Sequence, residues 1–325
     1  MDRYVSVVVP TLNSEDTIAE CLKSILSNEN PPKFEVIVVD GGSVDNTVQI
    51  ASEYPIKLLH ADKPQANQRN TAVTQANGEI IAFTDSDVRV TANWLNTLVR
   101  HFDDLAISGV GGPNLTHKDD QFWAKCFGTL MESPLGSAGV RNTVIYKSIC
   151  EVTHNPPVNS AVRKSVFMEV GGFGKGYEPV EDVVLDAKIQ RKGYKLIYDP
   201  DMIVWHHRRK TLSGFAKQLF LYGRGRASVF LKYPESLPFT YFCTAAFTLG
   251  TILTIPFYIL ISPLQPVIIC GWTAYLLFIV IASIYTATKN RKFILFLILP
   301  FLAIIEHFTL GLGFITGIVK PFKGS

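Results

Sequence analysis

The sequence changes character at Pro238. Upstream, charged and apolar residues alternate as in a water-soluble domain; downstream, charge almost disappears. Three apolar runs follow, Phe239 to Ile261, Leu264 to Ala287 and Phe293 to Val319. About 20 apolar residues suffice for a helix to cross a bilayer. In lipid a backbone must satisfy its own hydrogen bonds, so these runs predict helices. The chain is expected to divide into a soluble domain, residues 1–232, and a membrane domain, residues 233–325. The second would carry two to three transmembrane helices, near 239–261, 264–287 and 293–319. Pro300 and the Glu306-His307 pair interrupt the third run, which leaves open a re-entrant or interfacial course. Glu306 reads equally as a functional intramembrane carboxylate or as a residue at the membrane boundary.

Basic residues set the expected orientation. Arg208, Arg209, Lys210, Lys217, Arg224, Arg226 and Lys232 precede the first run, and Lys289, Arg291 and Lys292 separate the second from the third. Such flanks stay on the cytoplasmic side. A hairpin of the first two runs therefore places the soluble domain in the cytosol, at a cell membrane. Lys320 and Lys323 would face outward if the third run crosses, a mild violation of the same rule. Lys210 to Phe230 is basic and amphipathic, suited to lie against anionic headgroups.

Within the soluble part, Val5 to Val9 is a near-continuous apolar strand, as expected at the centre of a parallel sheet. Ile18, Cys21, Leu22, Ile25 and Leu26 then recur at helical spacing. Phe34 to Val39 is the next strand, a helix near 46–54 follows, and Ile56 to Leu59 is a third strand. This βαβαβ order predicts a doubly wound parallel sheet. Ligands of such sheets bind outside the carboxyl ends of the strands. Carboxylates stand at those ends: Asp40 before Gly41 and Gly42, and Asp85 and Asp87 after the strand Ile80 to Thr84.

Side chains at i and i+2 of an extended segment point the same way. Asp85 and Asp87 can thus hold a hard divalent cation, which bridges readily to phosphates. Taken alone, Asp85-Ser86-Asp87 reads more readily as a solvated turn, and Asp40 equally as part of a plain turn. Arg69, in a helix expected at 65–76, reaches a phosphate, braces the Asp pair or is solvated. Asp182 and Asp186 are four apart at the start of a helix and share a face. His206 or His207, closing a strand expected at 202–205, can complete a cation site. Residues 113–155 have a weak pattern and are expected to form an insertion of loops with one helix over the site.

Composition excludes several classes. A net charge of +3 gives no case for a nucleic-acid partner. The five cysteines, Cys21, Cys126, Cys150, Cys243 and Cys270, are scattered and read as buried thiols of a reducing compartment. No Gly-x-Gly-x-x-Gly and no P-loop motif occurs, which disfavours a dinucleotide cofactor and a P-loop kinase or ATPase. No cleavable signal peptide is expected, since Met1-Asp2-Arg3 leads directly into the first strand.

The motifs resemble, in order and spacing, those of family 2 glycosyltransferases. They are Pro10-Thr11-Leu12-Asn13, Val38-Val39-Asp40-Gly41-Gly42-Ser43, Gln68-Arg69-Asn70, Gly78-Glu79-Ile80, Asp85-Ser86-Asp87, Gly171-Gly172-Phe173 and Glu181-Asp182. The membrane tail, with Tyr222-Gly223-Arg224 upstream, is similar to that of a subgroup typified by the succinoglycan-assembly transferase. The resemblance implies a Rossmann-like, mixed but mostly parallel sheet of the A type. It also implies a UDP- or GDP-sugar donor, an Mg²⁺ or Mn²⁺ ion, inversion at the anomeric carbon, and a polyprenyl-linked acceptor at the membrane.

Carried over residue by residue, Pro10, Thr11, Asn13, Glu15, Asp40, Gly42, Arg69, Asp85 and Ser86 would line the donor site. Asp85 and Asp87 would take the cation, with His206 or His207 as a further contact, and Asp182 would be the general base. Asn159, Glu181 and Arg224 would be secondary or acceptor-side residues. The Gln-x-x-Arg-Trp motif of processive synthases is absent, since Gln218 is followed by Leu219-Phe220-Leu221-Tyr222. One sugar per acceptor is therefore expected. A polyprenyl-phosphate sugar synthase and an inactive nucleotide-binding scaffold are the alternatives.

Overall fold

The computed structural model describes residues 3–136, 146–236 and 239–322. Pro238, at the composition break, and Ser137-Ala138-Gly139 of the insertion lie outside the described residues. The elements in order are β1 (Tyr4–Thr11), α1 (Ile18–Leu26), β2 (Lys33–Asp40), α2 (Thr47–Ala51), β3 (Lys57–His60), α3 (Gln65–Gln75) and β4 (Ile80–Thr84). Next come β5 (Val88–Val90), α4 (Trp94–Val99), β6 (Ile107–Gly111), β7 (Asn114–Thr116), α5 (Phe122–Met131), β8 (Cys150–Val152), β9 (Asn159–Arg163) and α6 (Lys164–Glu169). The chain continues through α7 (Glu181–Arg191), β10 (Lys195–Tyr198), β11 (Val204–His206) and α8 (Leu212–Phe230). It ends with α9 (Thr240–Leu260), α10 (Gln265–Lys289) and α11 (Ile294–Val319).

By packing, the chain forms two compact units. Of the described residues, one comprises 3–117 and 146–207, the other 118–136, 208–236 and 239–322. The boundary expected at residue 232 divides by composition, charged sequence against apolar. The packing boundaries fall elsewhere, so α5 and α8 belong with the apolar helices. The single helix expected in the insertion is α5.

The first unit is built on an eight-stranded sheet ordered β3-β2-β1-β4-β9-β6-β10-β8. From β3 to β4 it is parallel, as the βαβαβ pattern predicts. Beyond β4 it is mixed, because β9 runs antiparallel to both β4 and β6. Alternation along β1 explains the two apolar layers. Val5, Val7 and Val9 face α1 and Trp94 of α4, while Val8 joins Val73 of α3, Phe167 of α6 and Leu185 of α7. A separate ribbon orders β5-β11-β7.

Asn159 pins this framework. Its Oδ1 accepts from Trp94 Nε1 at 2.9 Å, and its Nδ2 donates to Pro113 O at 2.9 Å and Met202 O at 2.6 Å. Its side-chain oxygen and nitrogen are thus committed to internal bonds, and the residue is buried.

In the second unit, α8 and α11 touch backbone to backbone. A Cβ at Gly313 would collide with the Phe220 carbonyl, and one at Gly317 with the Arg224 carbonyl. Three helical segments, Thr240–Leu260, Ser262–Lys289 and Ile294–Val319, are long and apolar enough to cross a membrane. Cys21 and Cys126 are buried as expected, but Cys150 is half-buried and Cys243 and Cys270 are exposed on α9 and α10. Buried thiols thus hold for only part of the set, because α9 and α10 turn apolar residues outward.

Replacing Asn159 with Leu would leave Trp94 Nε1 and the Met202 carbonyl, both buried, without their partner, at about 1–3 kcal/mol each; the Pro113 carbonyl still accepts from Val204 N at 3.0 Å. Thermal unfolding of Asn159→Leu should show a large loss of stability; an unchanged melting temperature would contradict the pinning role.

Candidate active site

The expected donor and metal residues gather at the carboxyl ends of β1, β2 and β4, three adjacent parallel strands. Loop-to-loop bonds join the first two ends. Asn13 N donates to Ser43 Oγ at 2.9 Å, and Val44 N donates to Asn13 Oδ1 at 2.9 Å. Glu15 Oε2 accepts from Asn46 N at 3.0 Å and Asn46 Nδ2 at 2.9 Å. Ser86 joins the third end, since its hydroxyl lies 2.9 Å from that of Ser14. Pro10 and Thr11 are buried at the strand end, while Asn13 and Glu15 are exposed.

Asp40 builds its own turn. Its oxygens accept from Gly42 N at 2.9 Å, Ser43 N at 3.0 Å and Ser43 Oγ at 2.5 Å. Burial opposes its ionisation, but these donors, led by the Ser43 hydroxyl, hold its carboxyl below the usual range. Gly42 carries φ +89°, a conformation that suits glycine. The segment forms a turn with Asp40 at its centre.

The Gln68-Arg69-Asn70 triplet works in three directions from α3. Gln68 Nε2 donates to Thr11 O and Val39 O, both at 3.2 Å, and so clamps the ends of β1 and β2. Asn70 Nδ2 donates to Phe173 O and its Oδ1 accepts from Phe173 N, both at 3.0 Å, fixing the Gly171-Gly172-Phe173 turn. Arg69 is 2% exposed and bridges two carboxylates. Its Nη2 lies 2.8 Å from Asp85 Oδ1 and its Nη1 3.2 Å from Glu181 Oε1. Of the readings open from sequence, bracing the Asp pair is the one realised.

Asp85, Asp87 and His206 each present one ligand atom, and these lie within 4.8 Å of one another. The ribbon explains the meeting: β5 pairs antiparallel with β11, His206 opposite Val88, so the histidine arrives beside Asp87. His206 Nε2 stands 3.3 Å from Asp87 Oδ1. Burial pushes the Asp87 carboxyl up, yet His206 and then His207 hold it below the ordinary range. A carboxylate kept ionised beside a second carboxylate and an imidazole is a donor set for a hard divalent cation.

The two adjacent histidines separate. His207 stacks on His117, with ring centroids 4.1 Å apart, and groups with His117 and Glu20. His117 Nε2 stands 3.4 Å from Glu20 Oε1. No motif spacing signalled this second group.

Asp182 opens α7 beside Glu181. A histidine that sequence reasoning missed joins it: His154 Nε2 stands 3.7 Å from Asp182 Oδ2, and His154 Nδ1 2.8 Å from Asp186 Oδ2. The spacing that put Asp182 and Asp186 on one face explains the convergence. His154 gave no signal because it lies in the weakly patterned insertion. Burial, reinforced by the charge of Asp182, pushes the Glu181 carboxyl up to about 7 despite Arg69. Arg224 belongs to the second unit, where its Nε donates to Lys320 O at 3.2 Å.

With the fold and these groups established, comparison supplies the class. The family model for glycosyl transferase family 2 matches residues 6–171, and the chain belongs to this family: it is a glycosyltransferase. Glycosyltransferase AglE of Haloferax volcanii is 30% identical over 236 residues, covering 70% of this chain and 74% of that protein. Succinoglycan biosynthesis protein ExoA of Rhizobium meliloti is 29% identical over 238 residues, covering 70% of each.

A dolichyl N-acetyl-alpha-D-glucosaminyl phosphate 3-beta-D-2,3-diacetamido-2,3-dideoxy-beta-D-glucuronosyltransferase of Methanococcus voltae is 22% identical over 342 residues, covering 98% of each. Among solved structures, the mannosyltransferase PcManGT of Pyrobaculum calidifontis, in complex with GDP-Man and Mn²⁺, aligns with a TM-score of 0.58 at 20% identity. It covers 99% of this chain and 87% of that one, and shows the shared fold. The chain thus has the A-type glycosyltransferase sheet.

A raised Glu181 means that the native state holds a proton which the unfolded state releases near 4.5. Native stability from this group is therefore lost as pH rises from about 4.5 to about 7. The melting temperature of wild type relative to Glu181→Gln should fall across that window and level above it; a constant difference would refute the shift.

Proposed function

We propose that this glycosyltransferase moves one sugar, with inversion, from a UDP- or GDP-sugar to a hydroxyl of a polyprenyl-diphosphate-linked saccharide at the cytosolic face of the cell membrane. The observation that carries the reading is the convergence of Asp85, Asp87 and His206 at the mouth of the sheet, in a unit that also holds Asp182. Relatives named for lipid-linked and polysaccharide sugar transfer support the acceptor class, as do the apolar helices that follow the soluble domain.

The residues fit Mg²⁺ or Mn²⁺. Asp87 offers an ionised carboxylate, Asp85 retains the oxygen that Arg69 does not take, and His206 adds a ring nitrogen. Bound there, the cation would neutralise charge on a nucleoside diphosphate leaving group. The protein's own part is orientation and proton transfer. The loops carrying Asn13 and Glu15 offer donor contacts beside the turn built by Asp40. Arg69 keeps Asp85 in place from behind.

Asp182 takes the proton of the acceptor hydroxyl as the new C–O bond forms, while the bond from the anomeric carbon to phosphate breaks on the opposite face. Attack from that face inverts the configuration. A positioned base contributes about 10²–10⁴-fold in rate.

Two variants test this. Asp182→Asn should lose transfer by about 10²–10⁴-fold and retain Mn²⁺-dependent nucleotide binding. Asp87→Asn should lose that binding. Near-normal turnover of Asp182→Asn would dismiss the base. Transfer to bare polyprenyl phosphate, in place of a saccharide hydroxyl, would dismiss the acceptor assignment.

A further inference from the structure

The 26 residues of α11 make a helix about 39 Å long, enough to cross a bilayer. Its packing argues otherwise. Contacts with α8 advance together along both helices, from Phe220 against Gly313 to Arg224 against Gly317. Beyond the end of α11, Arg224 Nε donates to Lys320 O at 3.2 Å and Phe322 N donates to Ser228 Oγ at 2.8 Å. The helices therefore lie side by side and parallel, at one depth. α8 carries Lys217, Arg224 and Arg226, which a helix within hydrocarbon does not tolerate.

The middle and the start of α11 agree with its end. His307 Nε2 lies 2.9 Å from the Leu135 carbonyl, in the segment that follows α5 and carries Glu132 and Ser133. This contact ties the middle of α11 to the end of α5. Leu295 and Leu299 share an apolar cluster with Phe127 and Leu130 of α5 and with Phe215 and Leu219 of α8.

Burial separates α11 from the other two long helices. The most apolar stretch of α11 is 39% buried inside the protein, against 11% for α9 and 17% for the helix that includes α10. Ile252, Ile255 and Ile259 on α9 and Val267, Ile269 and Leu277 on α10 are exposed. Lipid is the solvent that such a helical hairpin requires.

We propose that α11 does not cross the bilayer. It lies at the membrane interface beside α8, and among the described residues the chain crosses twice, through α9 and α10. Lys289, Arg291 and Lys292 before α11 and Lys320 after it then all share the side of α8, which removes the charge violation of a third crossing. Two crossing helices enclose no passage, which suits transfer of one sugar rather than extrusion of a polymer.

The test is cysteine labelling of the full-length protein in intact cells with a membrane-impermeant maleimide. Ser262→Cys, between α9 and α10, should label from outside. Lys320→Cys should label only after the membrane is permeabilised. Labelling at position 320 in intact cells would place α11 across the bilayer and overturn the proposal. Failure of Ser262→Cys to label from outside, with labelling after permeabilisation, would overturn the two-crossing hairpin. Donor binding by both variants is read separately, so a wrong topology and a wrong activity give different results.

Discussion

A buried guanidinium holds the catalytic unit in register. Arg69 rises from α3 between the carboxylate that follows β4 and the one that opens α7, at 2.8 and 3.2 Å. Removing one partner of a buried ion pair typically costs about 3–5 kcal/mol, because the remaining charge is stranded. The arrangement therefore couples two halves of the site: Asp85 cannot reorient without disturbing Glu181, the neighbour of Asp182. Glu181 remains the weaker partner, since burial and the charge of Asp182 favour its protonated form. This one side chain ties the cation side of the site to the proposed base.

The second constraint is the small ribbon. An antiparallel pairing of three residues, Val88–Val90 with Val204–His206, delivers His206 to the Asp pair across more than a hundred residues of chain. The same strand end turns His207 toward His117, so adjacent residues serve two different groups. On the other side of Asp182, His154 occupies the space between two carboxylates one helical turn apart. Each group is assembled by backbone geometry rather than by sequence proximity.

In the second unit the governing fact is close helix packing. Glycines on α11 admit the α8 backbone, and a helix rich in cations thereby fixes the level of a helix rich in apolar residues. A cation at the centre of a membrane helix costs about 2.5–3.5 kcal/mol on insertion scales. With several on α8, the interfacial placement proposed for the pair avoids that cost. Hydropathy alone does not register this, because it scores each helix without its neighbour.

The sequence by itself determined the local and periodic features. Unbroken valines in β1, carboxylates at strand ends, the Gln-Arg-Asn triplet and the apolar runs are written in adjacent residues, and local preference suffices to read them. It also left Asp40 and Arg69 with more than one reading. The tertiary structure adds what they touch: Asp40 holds its own loop and Arg69 two carboxylates. It also withdrew Asn159 into the framework, separated His206 from His207, brought in His154, and made the sheet mixed beyond β4. The physical reason is the same in each case. A polar side chain takes the partner that burial leaves available, and that partner comes from a distant part of the chain whose approach is set by strand pairing and helix packing.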